Sequence, residues 1–114
     1  WELSHSIKYL SMHTIEQIKH KLKQGAFEFT RHAFKKSVER NISEQEIREL
    51  ADTIEIIEDY PDDKYSPSSL LLGFTHQQRA LHLQVSRISS NLLKIITLYE
   101  PDPRKWINNK IRRN

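Results

Sequence analysis

Hydrophobic residues in the first half of the chain recur with the period of an α-helix. Ile15, Ile18 and Leu22 lie three and four residues apart, with charged and polar residues between them, which predicts a helix that begins near Thr14. Gly25 suits the left-handed position that ends a helix. Residues 27–29 predict a short extended connector.

A second helix is predicted from about Arg31 to Arg40, with Thr30 as its N-cap. Phe34 and Val38 lie one turn apart and are expected to form its buried side. The opposite side then carries a polar set, His32, Lys36, Glu39 and Arg40.

The third helix has the strongest local pattern in the sequence. Ser43 and Glu46 form a capping box, in which the hydroxyl and the carboxylate each satisfy a free backbone N–H. The buried side of this helix is predicted to be Ile47, Leu50 and Ala51.

After Asp52 the apolar period changes from about 3.6 residues to about 2, which indicates strands. Strands are predicted at residues 54–60, 70–75, 81–88 and 92–99, with a hairpin connection at 76–79. In the third of these, one face is Leu81, Leu83 and Val85 and the other is His82, Gln84 and Ser86. The last strand is apolar on both sides, which is typical of a central strand. Residues 104–109 predict a final helical turn.

Helices followed by an antiparallel meander predict an α+β domain, with N-terminal helices packed on one face of a small antiparallel four-stranded sheet. The chain length suits a single domain over residues 12–114. Met12 is the only methionine, so residues 1–11 are interpreted as an extension upstream of the natural start.

Composition narrows the class of protein. The chain has no cysteine, which excludes disulfides and thiolate chemistry and agrees with a reducing compartment. No apolar run approaches the roughly 18–20 residues needed to cross a bilayer, and no signal-peptide core follows the early charges. We therefore expect a cytoplasmic protein.

The net charge of +3 permits binding to a polyanion, and the cations concentrate in the first helix and in the tail.

Two candidate sites for chemistry contain histidine. The ladder of His32, Lys36 and Arg40 offers an acid/base group beside two cations, although helical spacing alone favours an ordinary solvated face. His82 lies in the middle of a strand, where it could transfer protons near neutral pH or simply fill a half-buried position beside a backbone partner.

A third candidate site follows the last strand. Thr97 and Tyr99 project to the same face, and Arg104, Lys105 and Trp106 come soon after. Hydroxyls, cations and an aromatic ring could hold a phosphate and stack a base. The two aromatic residues could equally be edge-of-core side chains with polar atoms at the surface.

Together these groups meet the needs of RNA cleavage without a metal ion. The 2′-hydroxyl must lose a proton, the 5′-oxygen must gain one, and the phosphorane needs cations. We expect His32 and His82 to act as acid and base in either order, Arg40 to neutralise the phosphate, and Tyr99 to orient substrate or donate a proton. The remaining substrate contacts are expected from Lys36, Thr97, Arg104, Lys105 and Trp106.

No metal or cofactor site of comparable quality is predicted. Asp59, Asp62 and Asp63 lie in a turn-rich segment without a histidine at ligand spacing. With only Gly25 and Gly73 in the chain, a glycine-rich phosphate loop is excluded.

Six stretches, in order, resemble a bacterial and cyanobacterial family, domain-of-unknown-function family 4258. They are FTRHAF at 29–34, ERNISEQEI at 39–47, IIEDYP at 56–61, LLLGF at 70–74, LHLQV at 81–85 and IITLYEPDP at 95–103. The resemblance runs from about Phe27 to Trp106. One departure is the hairpin at 76–79, where the family pattern leads us to expect a glycine.

That family is similar to the RelE-like and barnase-like endoribonuclease toxins. The resemblance implies N-terminal helices on a small antiparallel sheet, RNA cleavage without metal or cofactor, and neutralisation by a neighbouring antitoxin, such as one of the zinc-finger type. The site positions that it implies are His32, Arg40, His82, Thr97 and Tyr99.

Two other functions compete with the nuclease. In the first, the basic helix face and tail bind RNA or an acidic protein without cutting, which predicts salt-sensitive binding and intact RNA. In the second, the domain is a scaffold subunit with no nucleic-acid role.

Overall fold

A computed structural model describes residues 12–63 and 66–114. The interpretation of residues 1–11 as an extension lies outside these residues. In chain order the elements are α1 (Ile15–Gln24), β1 (Phe27–Phe29), α2 (Arg31–Glu39), α3 (Glu44–Glu49), a 3₁₀ turn (Leu50–Asp52), β2 (Glu55–Tyr60), β3 (Ser68–Phe74), β4 (Ala80–Ser86), β5 (Leu93–Tyr99), β6 (Trp106–Ile107) and β7 (Ile111–Arg112). Within the described residues, no helix is both long and apolar enough to cross a membrane.

The main sheet has five strands in the order β1-β5-β4-β3-β2. Its strands β2 to β5 are antiparallel neighbours, whereas β1 is parallel to β5. The prediction of a four-stranded antiparallel sheet is therefore wrong, although the domain is α+β. The sheet is mixed because the predicted connector at 27–29 is an edge strand.

Strand β1 is too short to be recognised from an alternation of apolar and polar residues. In its three residues, Phe27 and Phe29 pack against the core while Glu28 is exposed. Phe27 pairs with Leu93 and Phe29 with Ile95, partners that come late in the chain. A parallel partner requires a long crossover, so nothing local in the sequence marks this pairing.

The three helices cover one face of the sheet. Their buried residues join those of the strands in one core cluster, which includes Ile18, Leu22, Ile47, Leu50, Leu71, Leu83, Val85, Ile95 and Leu98. Removal of this apolar surface from water is the main term that stabilises the fold. The capping box at Ser43 and Glu46 is present as predicted, and Gly25 ends α1 with φ of 73°.

The buried side of α2 differs from the prediction. Phe34 and Val38 are 60% and 67% exposed, whereas Ala33 and Ser37 face the core. Helix α2 packs on β5 and β1 through these small side chains, and the Ser37 hydroxyl donates to the Phe34 carbonyl. The prediction placed Phe34 and Val38 inside because they are the most hydrophobic residues of the helix. Hydrophobicity alone does not show that a face of small residues lets the helix pack closer to the sheet.

The tail is a β-hairpin rather than the predicted helical turn. Strands β6 and β7 pair antiparallel, with Trp106 opposite Arg112. Asn108 and Asn109 between them have φ of 52° and 64°. Two consecutive positive φ angles are the mark of a type I′ turn, and asparagine tolerates them better than most residues.

This hairpin covers part of the sheet face opposite the helices, which we call the outer face. Leu70, Leu72 and Trp106 are buried but lie outside the main core cluster. Trp106 packs edge-on against His82 with ring centroids 4.6 Å apart, and His82 is the cross-strand neighbour of Leu72. The hairpin therefore packs on the outer face through Trp106 and His82.

Candidate functional site

A hollow of about 480 Å³ opens on the outer face where β5 ends. We call it the first hollow. Residues from the end of α2, the end of β5 and the hairpin line it: Arg40, Tyr99, Glu100, Asp102, Lys105, Trp106 and Arg112. Four of the sequence-predicted site residues, Arg40, Tyr99, Lys105 and Trp106, are thus brought together.

Tyr99 in this hollow is hydrogen-bonded to His82, its direct cross-strand neighbour. The phenol oxygen lies 3.3 Å from His82 Nδ1, while His82 Nε2 lies 2.6 Å from the carbonyl oxygen of Asn109. A carbonyl only accepts, so Nε2 carries the proton and donates it to Asn109. Burial lowers the pKa of His82, which keeps the ring neutral and leaves Nδ1 as an acceptor.

The direction of the Tyr99 bond follows from this tautomer. The Tyr99 hydroxyl donates to His82 Nδ1, and its oxygen keeps lone pairs that can accept from a group in the first hollow. Burial raises the pKa of Tyr99, so the phenol is protonated at neutral pH. A proton that enters from the hollow through Tyr99 would therefore stop on His82, whose Nε2–H remains hydrogen-bonded to the Asn109 carbonyl.

His82 itself does not meet a ligand in this conformation. Its exposed fraction is 0%, because Tyr99, Trp106 and Asn109 enclose the ring. His82 therefore contacts Tyr99, which lines the first hollow, and does not line the hollow itself. Trp106 is 4% exposed with its ring against His82, so it forms part of the wall and is not free to stack a base.

The first hollow is positively charged once the ion pairs of its walls are considered. Glu100 is bound by Arg79 at 3.0 Å and Asp102 by Arg104 at 2.9 Å. Among the described residues, no ion pair involves Arg40 or Lys105. These two cations are therefore available to an anion beside Tyr99.

Arg40 is held in place through the backbone and not through a carboxylate. Its guanidinium donates to the Leu98 carbonyl at 2.6 Å, just before Tyr99. The Arg40 carbonyl accepts from Arg79, which also donates to the carbonyl of Asn41. These contacts fix the end of α2 against the end of β5.

His32, on helix α2, contacts the same strand, β5, next to the first hollow. Its Nε2 is 3.2 Å from the Thr97 hydroxyl. Thr97 precedes Tyr99 by two residues, which corresponds to roughly 7 Å along a strand. Thr97 and Tyr99 lie opposite Gln84 and His82, so both predicted histidines contact neighbouring outer-face residues of β5. Only His32 is exposed.

Two predicted contact residues lie away from the first hollow. Lys36 forms an ion pair with Glu39 at 3.1 Å. Arg104 clamps Asp102 with two nitrogens, and 89% of its side chain is exposed. Neither side chain lines the hollow, so their expected role in substrate binding receives no support from the geometry.

The sequence reasoning missed three residues that organise the site. Asn109 supplies the carbonyl that sets the His82 tautomer, and Arg79 clamps the end of α2. Arg112 lies 4.5 Å over the Trp106 ring and bonds Glu58 at 2.9 Å, which fastens the hairpin to β2. The sequence pattern that could have predicted the hairpin is the pair Asn108-Asn109, since consecutive asparagines are typical of a tight hairpin turn.

Carboxylates and histidines are not gathered for metal binding in the described residues. No group of three His, Asp or Glu side chains there is arranged to hold a metal ion.

A protein family described as "Domain of unknown function (DUF4258)" matches residues 29–100. No curated protein and no solved structure matches the chain. The matched range includes His32, Arg40, His82 and Tyr99, and it ends before the hairpin. Since it covers well over half of the sequence, the chain belongs to this family of domains of unknown function.

Proposed function

We propose that this domain is a metal-independent endoribonuclease of the RelE-like and barnase-like group, and that it acts as the toxin of a cytoplasmic toxin–antitoxin pair. The observation that carries the proposal is the Tyr99–His82 pair at a hollow whose uncompensated cations are Arg40 and Lys105. A phosphodiester would find there an acceptor for a proton and positive charge for its oxygens.

The chemistry divides between two neighbouring positions on β5. A ribose 2′-hydroxyl gives its proton to the Tyr99 oxygen while the Tyr99 proton moves to His82 Nδ1. The freed 2′-oxygen attacks phosphorus and the bond from phosphorus to the 5′-oxygen breaks. His32 in its protonated form gives a proton to the leaving 5′-oxygen. Arg40 and Lys105 stabilise the charge of the phosphorane, and the products are a 2′,3′-cyclic phosphate and a 5′-hydroxyl.

A cognate antitoxin, such as one of the zinc-finger type, belongs to the same proposal. Phe34 and Val38 are exposed on α2, one turn apart, on the helix that also carries His32 and Arg40. A protein that covered this apolar pair would lie beside the first hollow and could block access to it.

The test compares cleavage of a labelled RNA in excess chelator by the wild-type protein and by Tyr99→Phe. We expect the variant to lose about 10²-fold or more in rate, because it keeps the ring but loses the proton-transferring hydroxyl. The matched control is Tyr60→Phe, which removes a phenol that bonds Glu58 outside the hollow. Equal rates for the wild type and Tyr99→Phe would contradict the proposal.

The burial of His82 favours one alternative, a non-catalytic RNA-binding domain with the same cations. In that case the wild-type protein leaves RNA intact under all conditions but binds it with an affinity that falls steeply with salt. Co-purification with the protein encoded by the neighbouring gene provides a separate check, since a toxin should form a stable complex with its antitoxin.

A further inference from the structure

A second hollow, of about 490 Å³, opens on the outer face near the start of β5. Its walls include Ile88, Ile96, Lys94 and Glu28, together with hydroxyls of Thr30 and Ser86. None of these residues lines the first hollow. The proposed cleavage chemistry does not use it.

Strand β5 forms the floor of both hollows. Lys94 and Ile96 lie in the second hollow and Tyr99 in the first, with Thr97 and its partner His32 between them. Ile96 and Tyr99 are three residues apart, a distance of roughly 10 Å along a strand. An extended polynucleotide lying along β5 could thus place neighbouring nucleotides in the two hollows.

A bulge in β5 makes this continuous surface possible. Gln84 pairs with Thr97 but the next residue, Val85, pairs with Ile95, so Ile96 is an extra residue in the strand. Leu93, Ile95 and Leu98 face the core, whereas Ile96 and Thr97 are both only half-buried. Bulges redirect side chains in this way, and they occur often beside functional sites.

The two hollows differ in chemistry. The first has two uncompensated cations and suits a phosphate, as described above. The second has apolar walls in Ile88 and Ile96, hydroxyls that can donate and accept, two carboxylates in Glu28 and Asp63, and Lys94 as its cation. A nucleobase combines an apolar face with polar edges, so it fits such a pocket better than a phosphate does.

We propose that the second hollow binds the base of a nucleotide next to the cleaved bond, with Lys94 contacting its phosphate, and that the substrate is single-stranded RNA extended along β5. The inference rests on the proposed function for the identity of the ligand. An unpaired strand is required because a base inside a duplex cannot enter a pocket in the protein.

The experiment measures binding in the Tyr99→Phe background, so that cleavage does not interfere. The probe is a fluorescein-labelled single-stranded RNA of about eight nucleotides, a length within the site sizes of small single-strand-binding domains. Adding Lys94→Gln should reduce the slope of log affinity against log salt by about 0.7, the value for one phosphate contact on a single strand. Lys35→Gln, an exposed lysine that lines neither hollow, is the matched control.

A second variant tests the base pocket itself. Ile96→Asp places a carboxylate on the floor of the hollow and should weaken binding about tenfold, whereas Leu92→Asp, an exposed position outside both hollows, should not. Melting temperatures identify a variant that has merely unfolded. The same RNA in a perfect duplex should bind more weakly than the single strand.

The outcomes separate the two proposals. If Lys94→Gln and Ile96→Asp weaken binding but the wild-type protein leaves the RNA intact, the nuclease proposal fails and the base pocket stands. If the wild type cleaves RNA and neither variant changes affinity, or if duplex binds as tightly as single strand, the inference about the second hollow is wrong.

Discussion

His82 and Tyr99 face each other across β4 and β5, and the hydrogen bond of 3.3 Å between them runs from the phenol to the imidazole. Its direction is set at the far side of the ring, where His82 Nε2 donates to the Asn109 carbonyl. The hairpin thus determines which nitrogen of His82 can accept the proton of Tyr99.

The pH dependence of stability should reveal the neutral state of His82. Burial holds its pKa below the ordinary value of 6.5, so below about pH 6.5 the unfolded chain takes up a proton that the folded chain does not. Stability is therefore fully present above that pH and is lost as pH falls towards the folded pKa. Urea unfolding at about pH 8 and about pH 5 measures the loss.

The control for this prediction is His82→Gln, which can still form hydrogen bonds but cannot become charged. Its loss of stability between the two pH values should be smaller than that of the wild type. The pKa of His13 is also lowered by burial, and its contribution remains in both proteins and cancels. An identical loss in the two proteins would mean that His82 titrates normally in the folded state.

Two neighbouring cations of the tail should differ in their effect on RNA binding. Lys105 lines the first hollow, whereas Arg104 is engaged with Asp102. Lys105→Gln should reduce the salt slope of binding to single-stranded RNA by about 0.7. The double variant Arg104→Gln with Asp102→Asn, which removes both members of the ion pair, should leave the slope unchanged. Fluorescence anisotropy over a salt series provides both slopes. If the double variant had the larger effect, RNA would lie on the exposed side of the tail and not in the hollow.

Helix α2 gives a direct test of which side is buried. Ala33 is 0% exposed against the sheet, so Ala33→Leu should destabilise the fold by about 1–3 kcal/mol through overpacking. Phe34→Ser on the opposite side should change stability by no more than about 0.5 kcal/mol, as is usual for surface positions. The midpoints of urea unfolding distinguish the two sites. A larger loss for Phe34→Ser would restore the original prediction that Phe34 is in the core.

The sequence predicted those parts of the fold that depend on local pattern. The capping box at Ser43 and Glu46 and the inward set of Leu81, Leu83 and Val85 are where periodicity placed them. Strand β1 was missed because three residues contain too little alternation, and because its partner β5 is far away in sequence. Such long-range pairing has no local signature.

The candidate site was predicted in its residue types but not in its arrangement. His32 and Arg40, both predicted site residues, contact β5 near Tyr99. A half-buried His82 with a backbone partner was one of the two interpretations of the sequence, but the complete enclosure of its ring depends on a hairpin that folds back over the sheet. The neutral tautomer and the role of the Asn109 carbonyl follow from that same long-range contact.

The hairpin itself should be sensitive to the residue at position 109. Asn109 has φ of 64°, where a β-branched side chain is strained by roughly 1–2 kcal/mol. Asn109→Val should therefore loosen the hairpin from His82. The buried indole of Trp106, which packs against His82, should then become exposed at a lower urea concentration than the one that unfolds the main sheet. Trp106 fluorescence in a Trp1→Phe background reports the first event, and far-ultraviolet circular dichroism reports the second. Asn109→Gly, which accepts the same backbone angle, should keep both transitions together. Coincident transitions in Asn109→Val would show that the hairpin and the sheet unfold as one unit, and that the closure over His82 does not open by itself.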